Sequence, residues 1–260
     1  MANRANQVGL RQADNDRASS GPGFDVFLRK LRSHSMLTTE DQRLLASLPH
    51  QMRRLAPNDY ILREGDLATV CPILLSGVAF RQKHVADGGR QIVAVKIPGD
   101  PLDFQSLYLA TADHSLQALT AVDLAILPLS ALEELVMARP TIARAVLVDI
   151  LVEASIGREW QLNIGRRNAL ERLAHFLCEF DYRMRLTVRG LGQGIEIPMT
   201  QEQLADLLGL TPVHINRTLK TLVERGALAR QGRRLRIADI ACLYRIAGFS
   251  DRYLHSTAGG

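Results

Sequence analysis

Residues 200–226 read TQEQLADLLGLTPVHINRTLKTLVERG, and this stretch decides the fold. Thr200 and Gln203 have the spacing of a capping box, so a helix is predicted to begin there. Gly209 is expected to end that helix, and Thr211 is expected to cap a second one. Apolar residues recur at helical spacing along the second helix and predict one buried face. We therefore expect two short helices joined by a tight turn, which is a helix-turn-helix.

The second helix is predicted to present its outward face to DNA. Arg217 lies near the middle of that face, and an arginine can bond guanine O6 and N7 together in the major groove. The alternative is a surface helical hairpin with no ligand. The residues expected to contact DNA lie on both helices and on the segment that follows them: Thr200, Gln201, Thr211, Pro212, Val213, His214, Asn216, Arg217, Lys220, Arg233 and Arg234.

The segment after the second helix favours DNA over the alternative. Residues 227–237 read ALARQGRRLRI and predict two short strands with a turn at Gln231-Gly232, which is the pattern of a wing. Between residues 211 and 236 there are seven basic residues and one acidic residue. So many positive charges beside a recognition helix favour contact with phosphates.

Composition and charge fit a DNA-binding role for the second half of the chain. Residues 158–260 contain 16 Lys and Arg against 10 Asp and Glu, whereas residues 1–157 contain 16 against 17. No apolar run approaches the roughly 20 residues that span a bilayer. The three cysteines have no disulfide or metal-site spacing. We expect a cytoplasmic protein with no contact to a membrane.

The first half predicts a sheet domain followed by a long helix. Residues 50–127 carry short apolar runs separated by turns such as Asp87-Gly88-Gly89, which predicts a small antiparallel barrel or sandwich. Residues 141–164 predict a helix that is apolar on more than one side, and such a helix is covered all round. We expect a second subunit to cover it; the alternative is the central helix of a monomer. The residues expected in this dimer interface are Ile142, Val146, Ile150, Val152 and Ile156.

The long helix is expected to end at a hinge. Gly165 is predicted to break it and Asn168 to cap the next helix, so these two residues form the predicted hinge. Residues 186–197 predict a hairpin around a glycine-rich turn. The expected parts of the chain are a disordered arm at 1–23, a β-roll domain at 24–139, the dimerisation helix and hinge at 140–167, a winged helix-turn-helix domain at 168–250 and a flexible tail at 251–260.

This order of parts resembles the Crp/Fnr, or catabolite-activator, family of transcription regulators over about residues 24–248. The resemblance implies an α+β fold with a cyclic-nucleotide-binding-like β-roll, a bacterial homodimer and a two-fold operator in double-stranded DNA near promoters. It also implies RNA polymerase as a partner. Arg217 matches the arginine with which family recognition helices read guanine. Val213 stands where many members have glutamate, so the half-site is expected to differ from the best-known ones.

The resemblance does not name an effector. Members that bind cyclic nucleotides place a glutamate shortly after a Gly-Asp turn and an Arg-Ser or Arg-Thr pair further on, which holds the phosphate. This chain reads PLD at 101–103 and HS at 114–115. We therefore expect no cyclic-nucleotide effector and no cofactor. The alternative is a ligand-responsive roll in which Arg81, Arg90 or Arg158 supplies the missing cation.

Two other classes of function have less support. Cys178 and His175 lie one helical turn apart and are the best candidates for a nucleophile and its base. The same stretch carries a core stripe, and no third catalytic group is evident. A winged helix can also dock on protein. The salt dependence of nucleic-acid binding separates these classes, because a reader of phosphates loses affinity steeply as salt rises.

Overall fold

A computed structural model describes residues 24–192, 194–232 and 234–256. The predicted arm at 1–23, Arg233 and the last four residues lie outside these ranges. Two short helices come first, and Thr38 caps the second of them in a reciprocal capping box with Asp41. None of the described helices is long and apolar enough to cross a bilayer. The helices that precede the sheets are α1 (Asp25–Arg32) and α2 (Thr39–Ala46).

Seven strands form the predicted β-roll as two antiparallel sheets. One sheet has the strand order β1-β7-β3 and the other has the order β2-β6-β4-β5. A one-turn 3-10 helix follows β5. The strands are β1 (Gln51–Leu55), β2 (Tyr60–Leu62), β3 (Val70–Ser76), β4 (Ala79–His84), β5 (Arg90–Lys96), β6 (Ser115–Ala118) and β7 (Val122–Pro128).

The turns that predicted these strands are present. The β4–β5 hairpin closes where expected, with the Val85 amide donating to the Gly89 carbonyl at 2.9 Å. Gly77, before β4, has φ +81°, and a Cβ there would lie 2.2 Å from the Ala121 carbonyl oxygen. Strand β1 was not predicted, because four of its five residues are exposed and no apolar run marks it.

Three helices link the roll to the second half of the chain: α3 (Leu129–Ala138), α4 (Pro140–Arg166) and α5 (Ala169–Thr187). The prediction that Gly165 breaks the long helix is wrong, since α4 continues through it. The chain leaves helical geometry at Arg167, and Asn168 caps α5 in a capping box with Glu171. The predicted hairpin at 186–197 is also wrong at its start, because α5 extends to Thr187.

The remainder is the expected winged helix-turn-helix. Ile195 and Ile197 exchange backbone hydrogen bonds with the second wing strand instead of forming their own hairpin. The prediction of a flexible tail fails for residues 251–256, because Leu254 is buried and Tyr253 Oη donates to Glu179 at 2.9 Å. The elements are α6 (Gln201–Leu208), α7 (Pro212–Glu224), β8 (Leu228–Gln231), β9 (Arg234–Ile237), α8 (Ile240–Ala247) and a 3-10 turn (Arg252–Leu254).

One apolar core runs from the roll through the long helices into the winged helix-turn-helix. It includes Phe80 of β4, Val152 of α4, Leu177 of α5 and Leu207 of α6. A second cluster packs α1 against the first sheet and the start of α4. The two halves of the chain therefore share a core, and the described part of the molecule does not divide into separately packed units.

The residues predicted for the dimer interface face this chain's own core. Ile142 and Val146 are fully buried in the cluster around α1, and Val152 and Ile156 are buried in the continuous core. Ile150 is half-buried and packs against the cluster around α1. The assignment of the four buried residues to an interface is thus wrong, because the sequence could not tell which side of α4 its own chain covers. For partly exposed Ile150 the assignment stays a prediction.

Gly77 gives a test of the roll. Gly77→Ala forces an L-residue into positive φ and brings its Cβ against the Ala121 carbonyl. We expect a loss of about 2–4 kcal/mol, or roughly 5–10 °C in thermal midpoint. Gly88→Ala is the matched control: φ is +90° but nothing lies within 4 Å of its Cβ, so the shift should be clearly smaller. Equal shifts in circular-dichroism melts would contradict the turn geometry.

Candidate nucleic-acid interface

The helix-turn-helix forms because each helix end is specified locally. The Thr200 side chain accepts from the Gln203 amide, and the Gln203 side chain accepts from the Thr200 amide. Gly209 ends α6 in the left-handed conformation, with φ +62°. The Thr211 side chain then accepts from the His214 amide and starts α7. These caps fix the turn between the helices and so the angle at which α7 is presented.

Helix α7 has the two faces that the sequence predicts. Ile215, Leu219 and Leu222 are buried. Val213 is 70% exposed, which makes the outer face partly apolar at its N-terminal end. Among the described contacts, Arg217 accepts a hydrogen bond from the Thr221 hydroxyl through its backbone carbonyl, and its guanidinium makes none. The guanidinium is therefore open to a ligand. This face has the chemistry of a base reader.

Side chains from both helices meet on one open concave surface. Asn216 Nδ2 donates to Gln201 Oε1 at 3.2 Å, which ties α7 to the start of α6. Lys220 lies 3.8 Å from Glu224 at the far end of the surface, and both side chains are exposed. Six of the predicted DNA-contacting residues line the surface: Gln201, Pro212, Val213, Asn216, Arg217 and Lys220. Thr200, Thr211 and His214 are exposed at the helix starts beside it.

The wing contributes fewer free cations than the sequence suggests. Arg234 is exposed and pairs with Glu196 at 3.2 Å. Arg236 donates to the Gly194 carbonyl at 3.2 and 2.9 Å, so it braces the segment before α6. Arg230 is exposed on β8. The predicted contact Arg233 lies outside the described residues.

Between the roll and α4 lies a cavity of about 290 Å³ that is lined by an ion cluster. The cations of the cluster are buried, and its carboxylate is partly exposed. Glu153 of α4 accepts from Arg81 Nη1 at 2.5 Å and from Lys96 Nζ at 2.8 Å. Burial opposes the charge on Glu153, but Lys96 and Arg81 outweigh it and lower its pKa to about 2. At neutral pH the carboxylate is therefore ionised, and the two cations already have an internal anion. The sequence signal for this cluster is a lone glutamate in the apolar run ILVEASI.

The residues at the family's phosphate-holding positions do not fit a cyclic phosphate. His114 is buried, with Nδ1 2.7 Å from Asp113 Oδ1. Burial and then Arg81 lower the pKa of His114, so it is neutral at pH 7 and supplies no full charge. Asp103 is also buried, and its carboxylate accepts from the Ser106 hydroxyl. A cyclic phosphate would meet carboxylates here rather than a free cation.

A second chain of buried charges joins the two halves of the molecule. Asp100, in the turn after β5, accepts from Arg183 Nη2 of α5 at 2.8 Å and lies 3.4 Å from Lys30 of α1. Burial opposes the charge on Asp100, but Lys30 and Arg183 outweigh it and hold its pKa below the ordinary value. Arg183 also pairs with Glu179, which accepts from Trp160 Nε1 at 2.9 Å.

An apolar stripe on α4 faces solvent. Leu147 and Leu151 are 51% and 56% exposed. Ala154 and Leu162 continue the same side of the helix, with exposed Arg158 between them. Their spacing places them opposite Ile156 on the helix. The sequence shows spacings of four and three residues between Leu147, Leu151 and Ala154. This pattern is hard to recognise because the opposite side of the helix is more strongly apolar.

Cys178 and His175 do not form a reactive pair. Both are buried. Burial raises the pKa of the Cys178 thiol, and burial lowers the pKa of His175 to about 3. The thiol is therefore protonated and the imidazole neutral within the core, where neither reaches a substrate.

Comparisons with known proteins agree with this architecture. A family model described as a cyclic nucleotide-binding domain matches residues 52–139, and one described as a Crp-like helix-turn-helix domain matches residues 171–246. The solved structure of FixK2 from Bradyrhizobium japonicum superposes with a TM-score of 0.70 at 24% identity, and covers 78% of this chain and 100% of that one.

Two curated relatives are nitrogen fixation regulation proteins named FixK. The one from Rhizobium meliloti is 30% identical over 183 residues, which is 70% of this chain and 79% of that protein. The one from Bradyrhizobium diazoefficiens is 29% identical over 202 residues, or 76% of this chain and 84% of that protein. The chain belongs to the Crp/Fnr family of DNA-binding transcription regulators, whose members are not enzymes.

Proposed function

We propose that this regulator binds, as a homodimer, an inverted-repeat operator in double-stranded DNA, with α7 in the major groove. The observation that carries the proposal is the exposed face of α7, on which the Arg217 guanidinium has no described partner. Arg217 can take guanine bidentately, and Val213 offers an apolar contact to a thymine methyl. Arg230 and Arg234 are exposed on the wing that follows α7 and are proposed to contact phosphates.

Separate variants distinguish base reading from phosphate binding. On a duplex selected from a randomised pool, Arg217→Ala should lose about 10- to 100-fold in affinity and relax the preference at one guanine. Arg234→Ala should weaken all duplexes alike and reduce the salt slope by about one. Fluorescence anisotropy over a salt series measures both. If Arg217→Ala weakens selected and random DNA by the same factor, α7 is not the base reader.

The homodimer is proposed to form through the exposed stripe of α4. The four predicted interface residues that are buried in the chain's own core are not part of it. Leu147, Leu151, Ala154 and Leu162 share one side of the helix and face solvent in the single chain. The 4-3 spacing of Leu147, Leu151 and Ala154 fits the seam of a two-stranded coiled coil. A two-fold pair of chains would place two recognition helices about one turn of DNA, roughly 34 Å, apart.

Leu151→Asp tests this interface. A carboxylate in the seam has no partner, so the variant should run as a monomer and lose at least about 100-fold in operator affinity through lost bivalency. Met137→Asp is the control, because Met137 is 81% exposed on α3, outside the stripe. Size-exclusion chromatography with light scattering reports the mass. If Leu151→Asp is still a dimer, or if the wild type binds the operator as a monomer, the assignment of the dimer interface to this stripe is wrong.

The roll is proposed to work without a cyclic nucleotide. Glu153 already pairs with both Arg81 and Lys96, and buried His114 replaces the expected arginine. The connection between roll and α4 that a bound anion would make is thus made by the chain itself. The effector, if the protein uses one, has a different chemistry.

Calorimetry on the wild-type protein should show no saturable binding of cyclic AMP or cyclic GMP at micromolar concentration. Saturable wild-type binding of either nucleotide would falsify the proposal.

The Glu153→Gln variant should free both cations for an added anion. Sulfate at constant ionic strength should therefore raise the thermal midpoint of this variant more than that of the wild type. Because the pKa of Glu153 is depressed, the stability that its charge gives is present at pH 7 and is lost as pH falls from about 4.5 towards 2.

The remaining parts of the proposal rest on the family. RNA polymerase is the proposed partner at promoters, since a regulator bound beside a promoter acts on the enzyme there. The cytoplasm is the proposed compartment. The proposed division of the chain keeps the roll at 24–139, the long helix and connector at 140–167 and the DNA-binding part from 168 onward.

A further inference from the structure

The roll and the helix-turn-helix of the same chain are joined by a polar contact outside the shared core. β5 is the last strand of its sheet, and α6 packs against it. Arg90 Nε and Nη2 bind Asp206 Oδ2 at 2.7 and 2.5 Å. Beside this ion pair, Gln91 Nε2 donates to the Leu207 carbonyl at 3.1 Å. Two successive residues of β5 thus bind two successive residues of α6.

On the roll side this contact is rigidly held. The Arg90 guanidinium lies 5.8 Å from the ring centroid of buried Phe80, within cation–π range. β5 is hydrogen-bonded along its length to β4. At the other end of β5, Lys96 binds Glu153 of α4. A continuous path of bonds therefore leads from α6 through β5 to the long helix.

On the DNA side, fixing α6 also fixes α7. Gly209 leaves a short turn between the two helices. Leu204 and Leu208 of α6 lie in the same buried cluster as Ile215 of α7. The hydrogen bond from Asn216 to Gln201 adds a polar tie at the reading surface. The recognition helix therefore moves with α6 as one body.

We propose that Arg90 and Asp206 position the recognition helix relative to α4 and so set the spacing between half-sites that the dimer accepts. This inference rests on the proposed function. Neither residue touches DNA in the proposed mode; both act through α6. Removing the ion pair leaves the reading face intact but lets the two recognition helices adopt more than one separation.

Because the ion pair is partly exposed, its effect on the position of the recognition helix can be measured separately from its effect on stability. The Arg90 and Asp206 side chains are 30% and 29% exposed, and ion pairs of such exposure contribute little to folding. Arg90→Gln should therefore shift the thermal midpoint by no more than about 4 °C. A loss of spacing preference without a loss of fold is what a positioning role predicts.

The experiment measures affinity for duplexes built on the inverted repeat selected by the wild-type protein, with the spacer lengthened or shortened by one and two base pairs. One base pair rotates the half-sites by about 36° and moves them by about 3.4 Å. The wild type should lose about tenfold or more for each step. Arg90→Gln and Asp206→Asn should each reduce that loss to about threefold or less. Their affinity for a single half-site should equal that of the wild type.

Two further variants complete the test. Arg43→Gln removes the same charge from an exposed pair with Glu40 on α2 and should keep the wild-type spacing preference. The double variant Arg90→Asp with Asp206→Arg should restore that preference, while each single reversal removes it. If Arg90→Gln keeps the wild-type ratios, or loses half-site affinity as well, the positioning role is wrong. If the wild type selects no inverted repeat, the proposed function fails first.

Discussion

A buried ion pair between Asp100 and Arg183 ties the roll to the DNA-binding half of the chain. Asp100 belongs to the turn that ends β5, and Arg183 belongs to α5 in the DNA-binding half. Both are almost fully buried, so removing either partner would leave an uncompensated charge in the core, at a cost of about 3–5 kcal/mol. The pair therefore restrains how α5 lies against the roll. Helix α6 is held by its own contact with β5, through Arg90 and Asp206.

Ion pairs within the chain connect the roll to α4 and to α6. Glu153 reaches from α4 to the two cations of the roll, and Arg90 reaches from the roll to α6. In each case an ion pair joins two parts of the chain. His114 and Asp103 stand at positions where family members that bind cyclic nucleotides hold the phosphate, and both are buried here. Through Arg90 and Asp206 the roll contacts the helix that packs against α7.

The sequence predicts best where the cause of structure is local. Thr200, Gln203, Gly209 and Thr211 specify two helix ends by their own side chains or backbone, so the helix-turn-helix follows from residues within a single stretch. Gly165 shows the opposite case. Glycine in a helix costs only about 1 kcal/mol, and burial of neighbouring α4 residues overrides it.

Features that depend on distant partners were not predictable. The exposed edge strand β1 has no apolar pattern, and it exists because β7 pairs with it. The sides of α4 could not be told apart, since the covering residues lie in α1, α5 and the roll. The pairing of Glu153 with Arg81 joins residues 72 positions apart, which no motif reports.

Two copies of this chain are proposed to read a two-fold DNA site through α7. Selection of bound duplexes from a fully randomised pool, followed by sequencing, tests this proposal. We expect enriched sequences that are inverted repeats, with one guanine in each half and half-site centres about one helical turn, or roughly 34 Å, apart. Enrichment of a single asymmetric site, or no enrichment over the starting pool, would contradict it.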